Sequence, residues 1–344
     1  MKAILVDAPL APLHLADVPE PPLPAHGARI EVVATGVCRS DWHAWMGHDP
    51  TVRFPHVPGH EFAGVVREVG PEVTNVRIGQ RVTAPFCCGC GSCGPCRDGL
   101  QNLCLHEYQP GFDGWGSFAE SVVVPWADVN VVALPAGMDE GEAASLGCRF
   151  MTAFAGLVDR AGLRSGETVA VLGCGGLGLA AVAIAAASGA QVVAVDVQEE
   201  KLSLARALGA SVAVDARSDD PVAAIRDATD GGAHVTVDAL GSPLTSAQGV
   251  RALRRRGRHL QLGLLLADDA APPVPMLELI KHELTIIGGH GMPARRYPEL
   301  LRFVRERRID VGLLIGERRP LADAHEVMAS MGAFAPRGVT LLTL

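Results

Sequence analysis

Short apolar runs broken by Gly and Pro fill the first 150 residues, and each reads as a strand. Ala28–Ala34, Ala63–Val69, Gln80–Ala84 and Phe118–Val124 are rich in β-branched positions and bounded by turn residues. Prolines at 9, 12, 19, 21, 22 and 24 make the opening stretch loop-rich, so irregular β structure is expected there.

From about residue 152 the pattern changes. Strand-like runs at Thr168–Leu172, Val192–Val195, Val212–Val214, His234–Leu240, His259–Leu262 and Leu284–Ile287 alternate with helical periodicity. The helical stretches are Leu177–Ala187, Glu199–Leu208, Pro221–Ala228, Pro243–Leu253 and Pro275–His282. Strands spaced by helices of about ten residues mean βαβ units and a parallel sheet, whose inner strands are apolar on both faces. The last fifty residues add helical patterns at Pro298–Arg307 and Ala322–Met331 and a final apolar strand, Val339–Leu342. The fold class expected is therefore α/β, with a mostly-β first part and a doubly wound parallel-sheet second part.

Length and composition narrow the function. A chain of 344 residues with 48% hydrophobic positions can pack two domains and is not disordered. A net charge of −8 is poor for holding nucleic acid or an anionic membrane, and the basic run Arg254–Arg255–Arg256 reads as a solvated face. The longest uncharged stretch, Thr168–Val195, is cut by glycines at 173, 175, 176, 178 and 189 into strand, turn, helix and strand, so it is no membrane span. Met1–Asp7 lacks the pattern of a secretory signal. Nine cysteines in that setting point to metal or thiol chemistry in a reducing, cytoplasmic compartment rather than to disulfides.

Gly173-Cys174-Gly175-Gly176-Leu177-Gly178 is a G-x-G-x-x-G turn set between a strand and an Ala-rich helix. That context makes it a dinucleotide fingerprint. The first glycine permits the turn, the second lets backbone approach a pyrophosphate, and the third lets helix pack on strand. The helix N-terminus offers unpaired N–H groups to the phosphates. Asp196 ends the next strand, where a carboxylate accepts from a ribose diol and repels a 2′-phosphate. NAD is therefore expected over NADP. Lys201, five residues on, is a second candidate for the same ribose.

Six cysteines, at 87, 88, 90, 93, 96 and 104, crowd into eighteen residues. Cys90-x2-Cys93-x2-Cys96-x7-Cys104 is a four-thiolate spacing, and zinc bound by four thiolates has no open position for chemistry. A structural zinc is the reading. Cys87 and Cys88 are left over, and either could compete as a ligand. An iron–sulfur cluster lacks its usual spacing here, and a zinc ribbon on nucleic acid is disfavoured by the mixed charges Arg97, Asp98 and Glu107.

Three further candidates stand far apart: Cys38, His60 and Cys148. Nothing in their spacing joins them; taken singly, each cysteine reads as a buried apolar residue and His60 as a core histidine. Gly59-His60-Glu61-x2-Gly64-x5-Gly70-x2-Val73, however, resembles the zinc signature of the medium-chain, zinc-dependent alcohol dehydrogenase family. The octapeptide Gly36–His43, the four-cysteine lobe, Gly147-Cys148 and the fingerprint occur in that family's order, so the resemblance covers nearly the whole chain.

The resemblance implies a GroES-like catalytic domain over 1–151 with a zinc lobe at 86–105, a Rossmann domain over 152–289, and a return segment, 290–344. It implies two zincs per chain. Cys38, His60 and Cys148 would hold the catalytic one, with Glu61 as an occasional extra ligand. Asp41 would orient His60, Arg39 would meet the cofactor pyrophosphate, Ser40 the substrate oxygen, and His43 would end a proton relay. Zinc would make an alkoxide accessible near neutral pH, and hydride would pass to the nicotinamide. The active site would lie in the cleft between the domains, and subunits would associate through cofactor domains as a homotetramer or homodimer. Polyol and threonine dehydrogenases of the superfamily often carry Glu where this chain has Cys148, and quinone-reductase relatives lack the ligands; both comparisons favour an alcohol dehydrogenase. A polyol or formaldehyde-adduct dehydrogenase with another pocket, and a non-enzymatic redox sensor, are the competing readings. Trp42 and Trp45 are either pocket walls or plain packing.

Overall fold

The computed structural model describes residues 1–266, 269–334 and 336–344. They form two compact units. The first comprises Met1–Met151, Gly291–Arg302 and Ile315–Leu344; the second comprises Thr152–His290 and Phe303–Leu314. The C-terminal stretch thus divides, with Phe303–Leu314 joining the second unit.

In the first unit β3 (Ala28–Val37) and β4 (Glu61–Val69) are the longest strands, antiparallel, with Gly36 opposite Glu61. Around them a seven-stranded sheet runs in the order β14 (Ile315–Pro320), β15 (Val339–Thr343), β3, β4, β5 (Arg81–Thr83), β7 (Val132–Ala133), and β6 (Ser121–Val124) also pairs with β3. The proline-rich opening forms a small hairpin, β1 (Lys2–Leu5) with β2 (His14–Asp17). Ile30, Val32, Phe62, Val66, Val82 and Val122 fill one core face of this sheet.

In the second unit six strands run in the order β10, β9, β8, β11, β12, β13, all parallel. Here β8 is Thr168–Leu172, β9 Gln191–Asp196, β10 Val212–Asp215, β11 Ala233–Asp238, β12 Leu253–Gln261 and β13 Thr285–Gly288. The order reverses at β8, the topological switch point at which doubly wound sheets bind ligands. All of β8 is buried, as the apolar-on-both-faces pattern requires. The expected fold class is borne out.

Two expectations shift. The strand anticipated at His259–Leu262 begins at Leu253, because the ladder jumps from Ala233↔Leu253 to Val235↔Arg258 and throws Arg254, Arg255 and Arg256 out as an exposed bulge. Strand β14 went unread because four of its six residues are charged or Pro: it lies at the sheet edge and is largely exposed.

Candidate active site and metal centres

Cys38 follows β3 directly and caps helix α1 (Arg39–Trp45); His60 immediately precedes β4. Pairing of the two strands therefore brings these residues off the same end of the sheet. Cys148 comes from a π-helical turn, Leu146–Phe150, a widened turn often found at functional sites. The ligand atoms of Cys38, His60, Glu61 and Cys148 lie within 4.8 Å of one another.

Asp41 organises this cluster from the first turn of α1. One carboxylate oxygen accepts from Cys38 N–H (2.9 Å), and the other accepts from Gly59 N–H (3.0 Å) and meets His60 Nδ1 (2.9 Å). With Nδ1 engaged, His60 presents Nε2, which is buried and has no hydrogen-bond partner among the described residues. A buried nitrogen left bare is costly, and two thiols and a carboxylate sit beside it. This is the donor set of a zinc site, and it fits the metal. Hydrogen bonding from the Cys148 thiol, with help from Arg149 and His60, holds Cys38 well below the ordinary thiol range despite burial. Cys148, its partner, is pushed up.

Glu61 is completely buried and gripped through both oxygens by Arg149, at 2.9 Å on Nε and more closely on Nη2. Burial raises its pKa to about 6 against the pull of Arg149. Arg149 follows Cys148 in the chain, yet nothing in the sequence tied it to Glu61, 88 residues away; only the fold makes the pair.

Other side chains of α1 surround the cluster. Ser40 Oγ is 3.7 Å from Cys38 Sγ. Arg39 is sandwiched between the rings of Trp42 (4.3 Å) and Phe334 (3.8 Å) and donates to Met331 O (2.7 Å). Trp45 donates to Ala11 O and packs against core residues, as does Trp42. His43 Nδ1 meets His48 Nδ1 at 3.0 Å, a partner the sequence did not signal. The imidazole of His43 does not titrate near neutrality, as a histidine ordinarily does: burial, then Arg39 and His48, push it down to about 4. Among the described residues no hydrogen bond joins Ser40 to His43.

The sulfurs of Cys90, Cys93, Cys96 and Cys104 form the second cluster, again within 4.8 Å. Cys104 Sγ accepts from the backbone of Cys90 and His106, both at 3.2 Å, as a metal-bound thiolate does. These donors fit a structural zinc. Cys87 and Cys88 stand outside the cluster with their thiols on Met292 O and Pro85 O, and burial pushes Cys87 up to about 12. Arg295 of the return segment donates to Gly99 O and ties the lobe down.

In the second unit the fingerprint loop joins β8 to helix α6 (Gly176–Ala187), whose first residues include Gly176 and Leu177. Gly173 takes φ 91°, open only to glycine at low cost. A side chain at Gly175 would meet nothing within 4 Å, so the loop leaves space there; one at Gly178 would strike the Gly173 carbonyl. Asp196 accepts from Cys174 N–H (2.7 Å), Val197 N–H (2.8 Å) and Gln198 N–H (2.9 Å), which fixes its carboxylate against the loop. Lys201 is buried, with its charge near Cys174. This cradle fits a dinucleotide.

Comparison with known proteins now bears on the site. The family model for the alcohol dehydrogenase GroES-like domain matches residues 24–136, and that for zinc-binding dehydrogenase matches residues 176–306. An alcohol dehydrogenase of Geobacillus stearothermophilus is 34% identical over 333 residues, 96% of each chain. The chain belongs to the zinc-binding alcohol dehydrogenase family. An L-threonine 3-dehydrogenase of Bacillus velezensis is 36% identical over 274 residues, covering 77% of this chain and 76% of that one. The crystal structure of an NAD-dependent alcohol dehydrogenase superposes with a TM-score of 0.89 at 30% identity, over all of both chains. Like other members of the zinc-binding alcohol dehydrogenase family, the chain is a dehydrogenase with a GroES-like and a Rossmann part. No helix among the described residues is long and apolar enough to cross a membrane.

Proposed function

We propose that the protein interconverts alcohols with aldehydes or ketones, using NAD and a zinc held by Cys38, His60 and Cys148, with a second, structural zinc in the four-cysteine lobe. The observation that carries this reading is the bare, buried Nε2 of His60 facing two thiols, with Nδ1 fixed by Asp41. Bound zinc supplies the Lewis acidity that makes an alcohol proton acidic near neutral pH, and the nicotinamide supplies the hydride acceptor.

The chain's own residues do the rest. Asp41 keeps the proton on His60 Nδ1, so that Nε2 stays a donor atom. Arg149 holds Glu61 beside the ligands without leaving its charge unpaired. Ser40, next to Cys38, receives the proton of the alcohol, and His43 carries it outward. Arg39 supplies a cation for the cofactor phosphates, its plane set by Trp42 and Phe334. Asp196 accepts from the ribose diol, which favours NAD. Nine unpaired cysteines suit a cytoplasmic setting.

Association through the second unit is the quaternary reading. Edge strand β13 exposes Ile286, and the preceding helix exposes Met276, Leu277 and Ile280, an apolar face suited to a second copy in a dimer or tetramer. Leu277→Glu with Ile280→Glu should then lower the mass found by light scattering.

The test of the activity is NAD reduction, followed by absorbance, with primary, secondary, aromatic and polyol alcohols and with L-threonine. Turnover lost on zinc chelation supports the reading, and the panel ranks the substrates. No turnover in either direction, with aldehydes and ketones also inert, refutes it.

A further inference from the structure

His43 and His48 form a histidine pair that the zinc–Ser40–His43 scheme does not use. Helix α1 ends at Trp45, and Gly47, at φ 75°, turns the chain back. His48 N–H donates to the His43 carbonyl (3.0 Å), and its ring then stands with Nδ1 3.0 Å from His43 Nδ1. The Trp42 ring packs edge-on against both imidazoles, at 5.0 and 5.6 Å. A contact between two Nδ1 atoms at this distance requires that one carry the proton and the other accept it. His43 Nε2 is left as the ring's other proton-bearing atom.

We propose that His48 is the outer member of the proton path, taking from His43 Nδ1 the proton that leaves the alcohol and passing it to water. This rests on the alcohol dehydrogenase reading. The step balances without a further reactant: His43 gains a proton at Nε2, gives up the one on Nδ1 to His48 Nδ1, and His48 releases its Nε2 proton to solvent. Both rings end neutral, with the opposite tautomer.

Half-buried and held neutral at working pH, His43 can pass a proton but does not store one. A second, half-buried imidazole gives that proton somewhere to go. The charges that His43 feels are Arg39, on the same helix, His48 across the pair, and Cys38, at the helix cap. The remaining groups are engaged elsewhere: Asp41 with His60, and Asp49 with Thr51. On the helix packed against α1, His325 faces Trp45 and Leu13 N–H, and Glu326 pairs with Arg319. Among the described residues no carboxylate is therefore placed to take the role of His48.

The experiment compares wild type, His43→Gln and His48→Gln as zinc-loaded proteins. The readout is the single-turnover rate of NADH formation from pH 6 to 9, in H2O and D2O, with and without imidazole. Glutamine keeps a polar side chain at position 48 but cannot relay a proton. His48→Gln should slow the rate about tenfold, below the ~10²–10⁴-fold of a direct general base. Added imidazole should restore it, with KM for NAD unchanged. A wild-type rate and pH profile in His48→Gln, or a slowed rate that imidazole does not restore, overturns the proposal. Slow His43→Gln beside normal His48→Gln overturns it alone; a wild type inert with every alcohol refutes the underlying reading and the proposal together.

Discussion

Two glycines of one loop should fail in opposite ways. At Gly178 an added Cβ would lie 2.9 Å from the Gly173 carbonyl carbon, and closer to its oxygen. Carbon atoms in contact sit about 3.5–4.0 Å apart, so helix α6 would have to retreat by at least roughly 0.6 Å from the turn. Backbone cannot give cheaply, and forced overpacking of this kind costs about 1–3 kcal/mol. At about 2–4 °C per kcal/mol for a unit of this size, Gly178→Ala should lower the first thermal transition by roughly 2–12 °C. At Gly175 nothing lies within 4 Å and φ is −74°, so alanine is unstrained. Only the poorer N-cap counts against it, about 0.5 kcal/mol. There the methyl instead occupies the space left for the pyrophosphate. Gly175→Ala should therefore keep its melting point within about 2 °C and bind NADH at least about tenfold more weakly, a loss of ~1.4 kcal/mol. Scanning calorimetry and NADH fluorescence titration separate the two. If Gly175→Ala binds NADH as the wild type does, the loop is not the cofactor cradle; if Gly178→Ala melts with the wild type, the close-packing argument is wrong.

Cys148→Ser should abolish turnover and lower zinc from two per chain towards one, measured by plasma emission; normal activity with both metals retained would remove Cys148 from the ligand set. Asp196→Ser should let NADP compete, since on the proposed reading the fixed carboxylate would repel a 2′-phosphate; unchanged selectivity in kcat/KM would sink that assignment. His56 is buried and pushed by that burial from its ordinary 6.5 down to about 4. The folded protein refuses a proton that the unfolded chain takes, so this stability is full above pH 6.5 and drains away as pH falls towards 4. Between pH 7.5 and 5 the loss should reach about 2 kcal/mol, and denaturant unfolding of His56→Gln should show a shallower acid limb.

The Rossmann unit was almost fully legible because its signals are local. Apolar runs such as Val192–Val195, helix breaks and the glycine turn each sit within a dozen residues. The four-cysteine lobe was legible for the same reason. The dispersed cluster was not. Cys38, His60 and Cys148 meet only because β3 and β4 pair in one register and a π-helical turn brings the third residue round, and no local pattern encodes that. Resemblance supplied it, but could not supply the bare Nε2, the grip of Arg149 on Glu61, or the His48 partner. Those depend on side-chain packing between segments distant in the chain, or on a turn conformation set by one glycine. The neutrality of His43 was hidden too, since burial and neighbouring charge decide it.

Strand β15 carries a consequence for synthesis on the ribosome. It lies inside the first sheet, pairing on one side with β14 and on the other with β3, where Thr340 faces Val37. The strand that ends next to Cys38 thus lacks one neighbour until Val339–Thr343 has been made. The second unit, whose last residues are Phe303–Leu314, can fold before β15 is made, while the thiols of the first unit wait in an unfinished sheet. If zinc is held by Cys38, His60 and Cys148 as proposed, its capture would be a late event in the protein's biogenesis, and the interval before it would leave these cysteines most open to oxidation or to the wrong metal.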